Sequence, residues 1–315
     1  MPRRLDVASA CVASLAPTQS AARRATGCDD LCVIAILGGL GAAVAWAVST
    51  LCSSRSSRLT PPIAVVAWVM LVGLVIVAPA AAVHGIPSGL DASSGAWLLI
   101  SGGGNVIGLV LAYAAFRIAD IALMAPLVST EGAVAALIAV AAGETLGPAT
   151  AATLAVIAAG IFLAALSNSA TTEHEVRHAS RSLALAGGAA LVFGFSLYAT
   201  ARAGSRLPVA WVVLSARLIG VIALALPLAI LGRMRLPRRA VALVTVSGVC
   251  EVLGFYAYTL GSRHGIAVAA VLSSQFATLA AVGGYLLFGE RLGRVQTAGV
   301  IVVVIGVAVL SLLQA

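Results

Sequence analysis

The sequence predicts an all-α polytopic membrane protein with ten transmembrane helices, built as two inverted five-helix repeats. Three observations predict it. Hydrophobic residues make up 61% of the 315, charged residues only 10%, and mean hydropathy is +1.08, so a single soluble core could not hide the apolar surface. The apolar stretches divide at charged or Pro/Gly-bearing breaks into runs of about 20 residues, the length a helix needs to cross a bilayer core of about 30 Å. Finally, one offset of 146 positions lays glycines and charged residues of the first half onto the same residue types in the second.

The expected spans lie near 31–54, 61–83, 96–116, 119–142, 148–168, 182–203, 208–231, 240–262, 266–288 and 294–313. Ahead of them, residues 1–30 read as a disordered N-terminal tail. There Arg3, Arg4, Arg23 and Arg24 flank VASACVASLAP, whose apolar core is too short to span. Residues 31–168 form the first repeat and 182–315 the second. Between them, 169–181 is a polar linker carrying Glu173, His174, Glu175, Arg177 and His178.

The offset pairs Gly102 with Gly248, Gly108 with Gly254, Arg117 with Arg263, Gly143-Glu144 with Gly289-Glu290, and Gly160 with Gly306. Five spans per copy is odd, so the second copy enters the membrane from the opposite side. Such inverted halves can exchange conformations and turn a site at their interface from one compartment to the other. Each Gly-Glu pair is the tight turn between the fourth and fifth helix of its copy. The glycine permits the reversal, and the carboxylate is expected to meet the first free N–H groups of the following helix.

Two stretches, APLVSTEGAVAALIAVAAGETLG closing the first copy and VLSSQFATLAAVGGYLLFGERLGRVQTAGVIVVVIGVAVL closing the second, resemble the drug/metabolite transporter superfamily, EamA-type. The resemblance spans residues 31 to 313 and implies small-solute transport by alternating access. The copies differ in detail: Thr145 stands opposite Arg291, and Pro126 opposite Leu272. Small multidrug exporters of that superfamily carry a glutamate in the first helix of each unit, and neither 31–54 nor 182–203 contains one. The resemblance also implies both termini inside. By contrast, the loop with Arg233, Arg235, Arg238 and Arg239 argues for the reverse under the positive-inside rule.

An ionisable side chain near the bilayer midplane costs about 2.5–3.5 kcal/mol on insertion scales and marks a functional site by default. Glu251, Glu131 and Arg217 qualify. Arg217 either neutralises one of the carboxylates as a packing ion pair, or attracts an anionic group of the solute while a carboxylate carries protons. The 146 offset places Asn105 at the position of Glu251 and Ser129 at that of Gln275, a polar locus in both copies. Tyr258 shares a helix face with Glu251, and Trp46 is a further candidate on the first span. Pro126 is a candidate hinge, because it removes a backbone hydrogen bond in the fourth span.

Other functions find little support. The net charge of +8 sits in tails and short loops, which suits anionic lipid headgroups; no basic stripe with interleaved aromatics points to nucleic acid. Five scattered cysteines, Cys11, Cys28, Cys32, Cys52 and Cys250, make no disulfide or metal framework. SGGGNVIG lacks the ending a phosphate-binding loop needs, and no cofactor is expected. The expectation is a secondary transporter, an exporter, in the cell membrane. Its solute would be a small polar or amphipathic metabolite, moved by alternating access with proton coupling open. Membrane lipids are its surroundings and a homodimer is compatible with it. The alternatives are a lipid or glycolipid translocase and, from another class, a membrane enzyme or non-transporting scaffold.

Overall fold

Proline and glycine punctuate the chain where the composition places them. Pro62, behind Pro61, opens one helix, and Pro208 and Pro237 each stand at the N-cap of another, where a missing N–H costs nothing. Gly85 and Gly232, both at φ 63°, follow helix ends. Asp91 accepts from the Ser94 amide (2.7 Å) and Ser94 Oγ from the Asp91 amide (2.9 Å), a reciprocal cap that starts the next helix.

A computed structural model describes residues 19–119, 121–165 and 173–288, with isolated positions from 295 to 309. In chain order the helices are α1 (Gln19–Leu59), α2 (Pro62–His84), α3 (Ala92–Ile118), α4 (Ile121–Val128), α5 (Glu131–Ala141) and α6 (Pro148–Ala165), then α7 (Glu173–Gly204) and α8 (Val209–Gly220). A π-helical turn, Val221–Ala225, leads into α9 (Leu226–Ile230); α10 (Arg238–Ser262), α11 (Ile266–Ser273) and α12 (Phe276–Phe288) follow. α1 starts ahead of the expected residue 31, and α7 starts inside the expected linker.

Among the described residues, seven helical stretches are long and apolar enough to cross a membrane, so the chain is a multi-pass membrane protein. The count of ten is not reached. The fourth expected span is divided at Ser129-Thr130 into α4 and α5, the fifth is a shorter apolar helix, and the tenth, 294–313, falls largely outside the described residues. The ninth is divided likewise at Ser274-Gln275, between α11 and α12.

Contacts at the helix ends sort the loops onto two faces. On one face, Trp211 donates to the Gly85 carbonyl (2.6 Å), Arg263 donates to the carbonyls of Gly204 (2.7 Å) and Leu207 (2.8 Å), and the Ala267 amide donates to Glu144. On the other, Thr60 Oγ1 donates to the Arg235 carbonyl (3.4 Å). Exposed Arg55, Arg58, Arg233, Arg235, Arg238 and Arg239 gather there, and we call it the arginine face. Hence α1 runs toward the arginine face and α7 away from it.

The two halves pack crosswise. α1 lies against α10, α3 against α7, and α2 against α8; α4 meets α12 while α5 meets α11. The paired glycines make these crossings possible. A Cβ at Gly102 would strike Ile219 of α8, and one at Gly248 would strike Val72 of α2. A Cβ at Gly108 would meet the Phe193 ring of α7, and one at Gly254 the Trp46 ring of α1. Each of these four glycines therefore seats the equivalent helix of the opposite half, a close approach that only a missing side chain allows.

This arrangement predicts a labelling pattern. In a cysteine-free background, an impermeant maleimide should label Ile86→Cys, Thr145→Cys and Ser205→Cys from one side and Met234→Cys only from the other. Labelling of all four from one side would refute the alternation of loops.

Candidate functional site

Midway between the faces lies a cavity of about 50 Å³, room for roughly three or four waters. Both halves line it: Trp46, Asn105 and Glu131 from the first, Phe193, Glu251 and Phe255 from the second. Polar contacts converge on Arg217, which is fully buried. Its Nη2 lies 3.6 Å from Glu251 Oε2 and donates to the Glu251 carbonyl (3.3 Å); its Nη1 donates to Asn105 Oδ1 (3.4 Å) and to Met70 Sδ (3.4 Å). The guanidinium carbon sits 4.8 Å from the Phe255 ring centre, a cation–π contact. A Cβ at Gly73 would collide with the Arg217 side chain, so that glycine makes its berth. Every polar contact of this arginine is longer than the 2.7–2.9 Å of a tight charge-assisted bond. Arg217 Nε has no hydrogen-bond partner among the described residues.

The two carboxylates are in different situations. Glu251 Oε2 faces Arg217, and Glu251 Oε1 accepts from Ser49 Oγ (3.1 Å). Glu131 is buried at the first residue of α5 and has neither an ion pair nor a hydrogen bond among the described residues. The free N–H groups of that helix start lie near it. Arg217 therefore joins Glu251 and Asn105, the two residues related by the 146 offset, and leaves Glu131 aside.

A family model matches this chain twice, over residues 33–166 and 180–312, and it describes the EamA-like transporter family. The chain belongs to the EamA-like transporter family. Two matches in tandem show the duplication. No curated protein matches the chain. Among twenty solved chains that match, one crystal structure superposes with a TM-score of 0.66 at 20% identity, covering 89% of this chain and 96% of its own, a likeness of fold.

In this EamA-like chain, Trp46 lines the cavity 6.0 Å from Tyr258 and 5.9 Å from Phe255. Tyr258 donates to the Leu197 carbonyl (3.0 Å), tying α10 to α7 between the cavity and the face opposite the arginines. Beyond that layer opens a vestibule of about 580 Å³, lined by Glu144, Tyr198, Arg202, Arg263 and His264. Gln275 donates to the Val271 carbonyl (3.0 Å) of the preceding helix, α11, and does not line the cavity. Pro126 lies in α4, three residues before the interruption at Ser129; the equivalent interruption in the second half follows Leu272, so proline is not its general cause.

Gly143, at φ 100°, makes the expected turn. Glu144 differs from expectation: its oxygens accept from the Ala267 amide (3.2 and 3.3 Å), at the start of α11 in the other half, rather than from α6. Packing of the halves brings that N-terminus nearer than the helix that follows in sequence. Gly289 and Glu290 lie outside the described residues. The sequence reading missed the hydroxyls of Ser49, Ser53 and Ser247, although serines four residues apart in an apolar span are a legible signal.

Two outcomes are expected. Arg217→Met should cost about 3–5 kcal/mol of stability by leaving Glu251 buried without its cation, and Arg217→Met with Glu251→Gln should recover most of it. Thermal unfolding in detergent reads this, and equal losses would show that the two residues do not interact. For Glu144, burial pushes the carboxyl above its ordinary value of 4.5, against the pull of the Ala267 and Ile266 amides. The folded state then binds more protons, so stability falls as pH rises from that value through the raised one. Glu144→Gln should flatten this fall in a pH series of melting temperatures.

Proposed function

We propose that the protein is a secondary transporter in the cell membrane, exporting a small polar or amphipathic metabolite with an anionic group. Alternating access of two inverted five-helix repeats would drive it. The observation that carries the reading is a cavity at mid-depth, lined by both repeats and by two buried carboxylates, one of which faces the buried Arg217. A structural ion pair alone does not account for Glu131, which has no cation beside it among the described residues. The opposed directions of α1 and α7, and the meeting of the first half of each broken span with the second half of the other, support the inversion.

Arg217 is the anion-attracting group, because its long contacts leave it free to exchange Glu251 for a solute carboxylate or phosphate. Aromatic Trp46, Phe193 and Phe255 suit the apolar part of the solute. At about 50 Å³ the cavity is too small for such a solute as it stands. A solute enters only when the halves rock and the vestibule or the arginine face opens toward it. Protons are the coupling ion in this reading, carried by the carboxylates. The interrupted spans at Ser129-Thr130 and Ser274-Gln275 are where the halves would flex, with Pro126 close to the first.

Untargeted comparison of metabolites in cells with and without the protein identifies the solute, and proteoliposomes measure its flux. Glu144→Cys with Gly265→Cys, cross-linked across the halves, should stop flux by more than tenfold, a barrier above about 1.4 kcal/mol, with recovery on reduction. Undiminished flux through the cross-linked protein would defeat alternating access. Arg217→Gln should impair flux of an anionic solute more than that of a neutral analogue.

A further inference from the structure

The second half of α1 is unusual for a membrane-spanning helix. Ser49, Ser53 and Ser57 recur every fourth residue, on one face, and all three are buried. Ser247 of α10 is buried among them. The hydrogen bonds link these hydroxyls to the site: Ser49 Oγ donates to Glu251 Oε1 (3.1 Å), Ser49 and Ser247 are 2.9 Å apart, and Ser247 and Ser53 are 2.6 Å apart. One turn further toward the arginine face, about 6 Å along the helix, Ser57 Oγ is buried without a hydrogen-bond partner among the described residues.

A hydroxyl donates one hydrogen. Ser49 uses its hydrogen on Glu251, so in the bond between Ser49 and Ser247 the donor is Ser247. Ser247 is then spent as a donor and accepts from Ser53. Every donor in the chain points at the carboxylate, and Ser53 keeps lone pairs to accept a hydrogen bond from the direction of Ser57. The chain reaches Oε1, whereas Arg217 holds Oε2. Two oxygens of one carboxylate thus face two different partners.

We propose that Ser57, Ser53, Ser247 and Ser49 form a proton path from the arginine face to Glu251, completed by one water between Ser57 and Ser53. A proton from water enters at Ser57. Each hydroxyl oxygen binds the incoming proton and releases its own to the next, until an O–H bond forms on Glu251 Oε1. The carboxylate gains one proton, the hydroxyls are unchanged in number, and rotation about their C–O bonds resets them. Neutral Glu251 no longer holds Arg217 by charge, and the guanidinium is released toward the cavity. The charged and titratable groups that bear on Glu251 are Arg217 of α8, Glu131 of α5, Tyr113 of α3 and Cys250 of α10. On the other side, Trp46 and the Tyr258–Leu197 bond stand between Glu251 and the vestibule. The path deepens the proton coupling proposed above and rests on it.

The test reads Glu251 itself. In lipid nanodiscs, an acid jump should raise an infrared band of protonated carboxyl that is absent in Glu251→Gln. Ser53→Ala and Ser247→Ala should slow its rise by about tenfold at unchanged final amplitude, while Ser53→Thr, which keeps the hydroxyl, should retain the wild-type rate. Wild-type rates in both alanine variants would overturn the path, as would the lack of any band removed by Glu251→Gln. The measurement uses no solute, so a failed path leaves the transport reading standing, and a failure of solute flux leaves the band unaffected.

Discussion

Burial of Arg217 constrains the whole arrangement. A guanidinium at mid-depth in a bilayer must find a carboxylate and acceptors, since the surrounding hydrocarbon offers neither. Glu251 supplies the charge from α10, Asn105 an acceptor from α3, and Met70 a sulfur from α2. Four helices from both repeats must therefore meet around one side chain that starts on α8. Glycines at the crossings make that meeting sterically attainable: Gly73 clears the arginine stem, and Gly220 clears Met70.

Duplication supplied the scaffold, and divergence supplied the chemistry. Gly102 and Gly248 do the same packing work in the two halves, as do Gly108 and Gly254, because the crosswise arrangement gives each the equivalent neighbour. The polar centre is not duplicated in this way. Leu71 stands at the offset position of Arg217, Ala277 at that of Glu131, and Asn105 at that of Glu251. One half provides the arginine and its paired carboxylate, the other the unpaired carboxylate. The asymmetry concentrates charge at the interface instead of placing one site in each repeat.

The sequence made some of this legible and not the rest. A constant offset is visible in one dimension, so the repeat could be read from glycines and the two Gly-Glu turns. The midplane positions of Glu131, Arg217 and Glu251 follow from helix length, and the structure buries all three. Their partners depend on helix rotation and packing, which periodicity in near-uniform apolar spans does not encode. Glu144 illustrates the limit: its nearest free amide belongs to α11, more than a hundred residues later. The interruptions at Ser129-Thr130 and Ser274-Gln275 were equally hidden, because only Pro126 announces one of them and Gln275 turns back onto α11.

Charge balance bears on the proton coupling proposed above. Two carboxylates line a cavity of about 50 Å³ with mostly aromatic and aliphatic walls, and Arg217 lies beside one of them. With both carboxylates ionised the group carries one net negative charge, which a medium of low dielectric opposes strongly. One proton would make it neutral, and in the proposed reading Glu131, with no cation beside it among the described residues, is the carboxylate to hold it. In the proposed cycle an anionic solute that takes Arg217 calls for a second proton, and Glu251 is the group left to receive it. The chain of serines ends on that carboxylate. In the transport reading proposed above, an anion occupies the cavity at low electrostatic cost only with this second proton, and proton and solute movements would be conditional on each other.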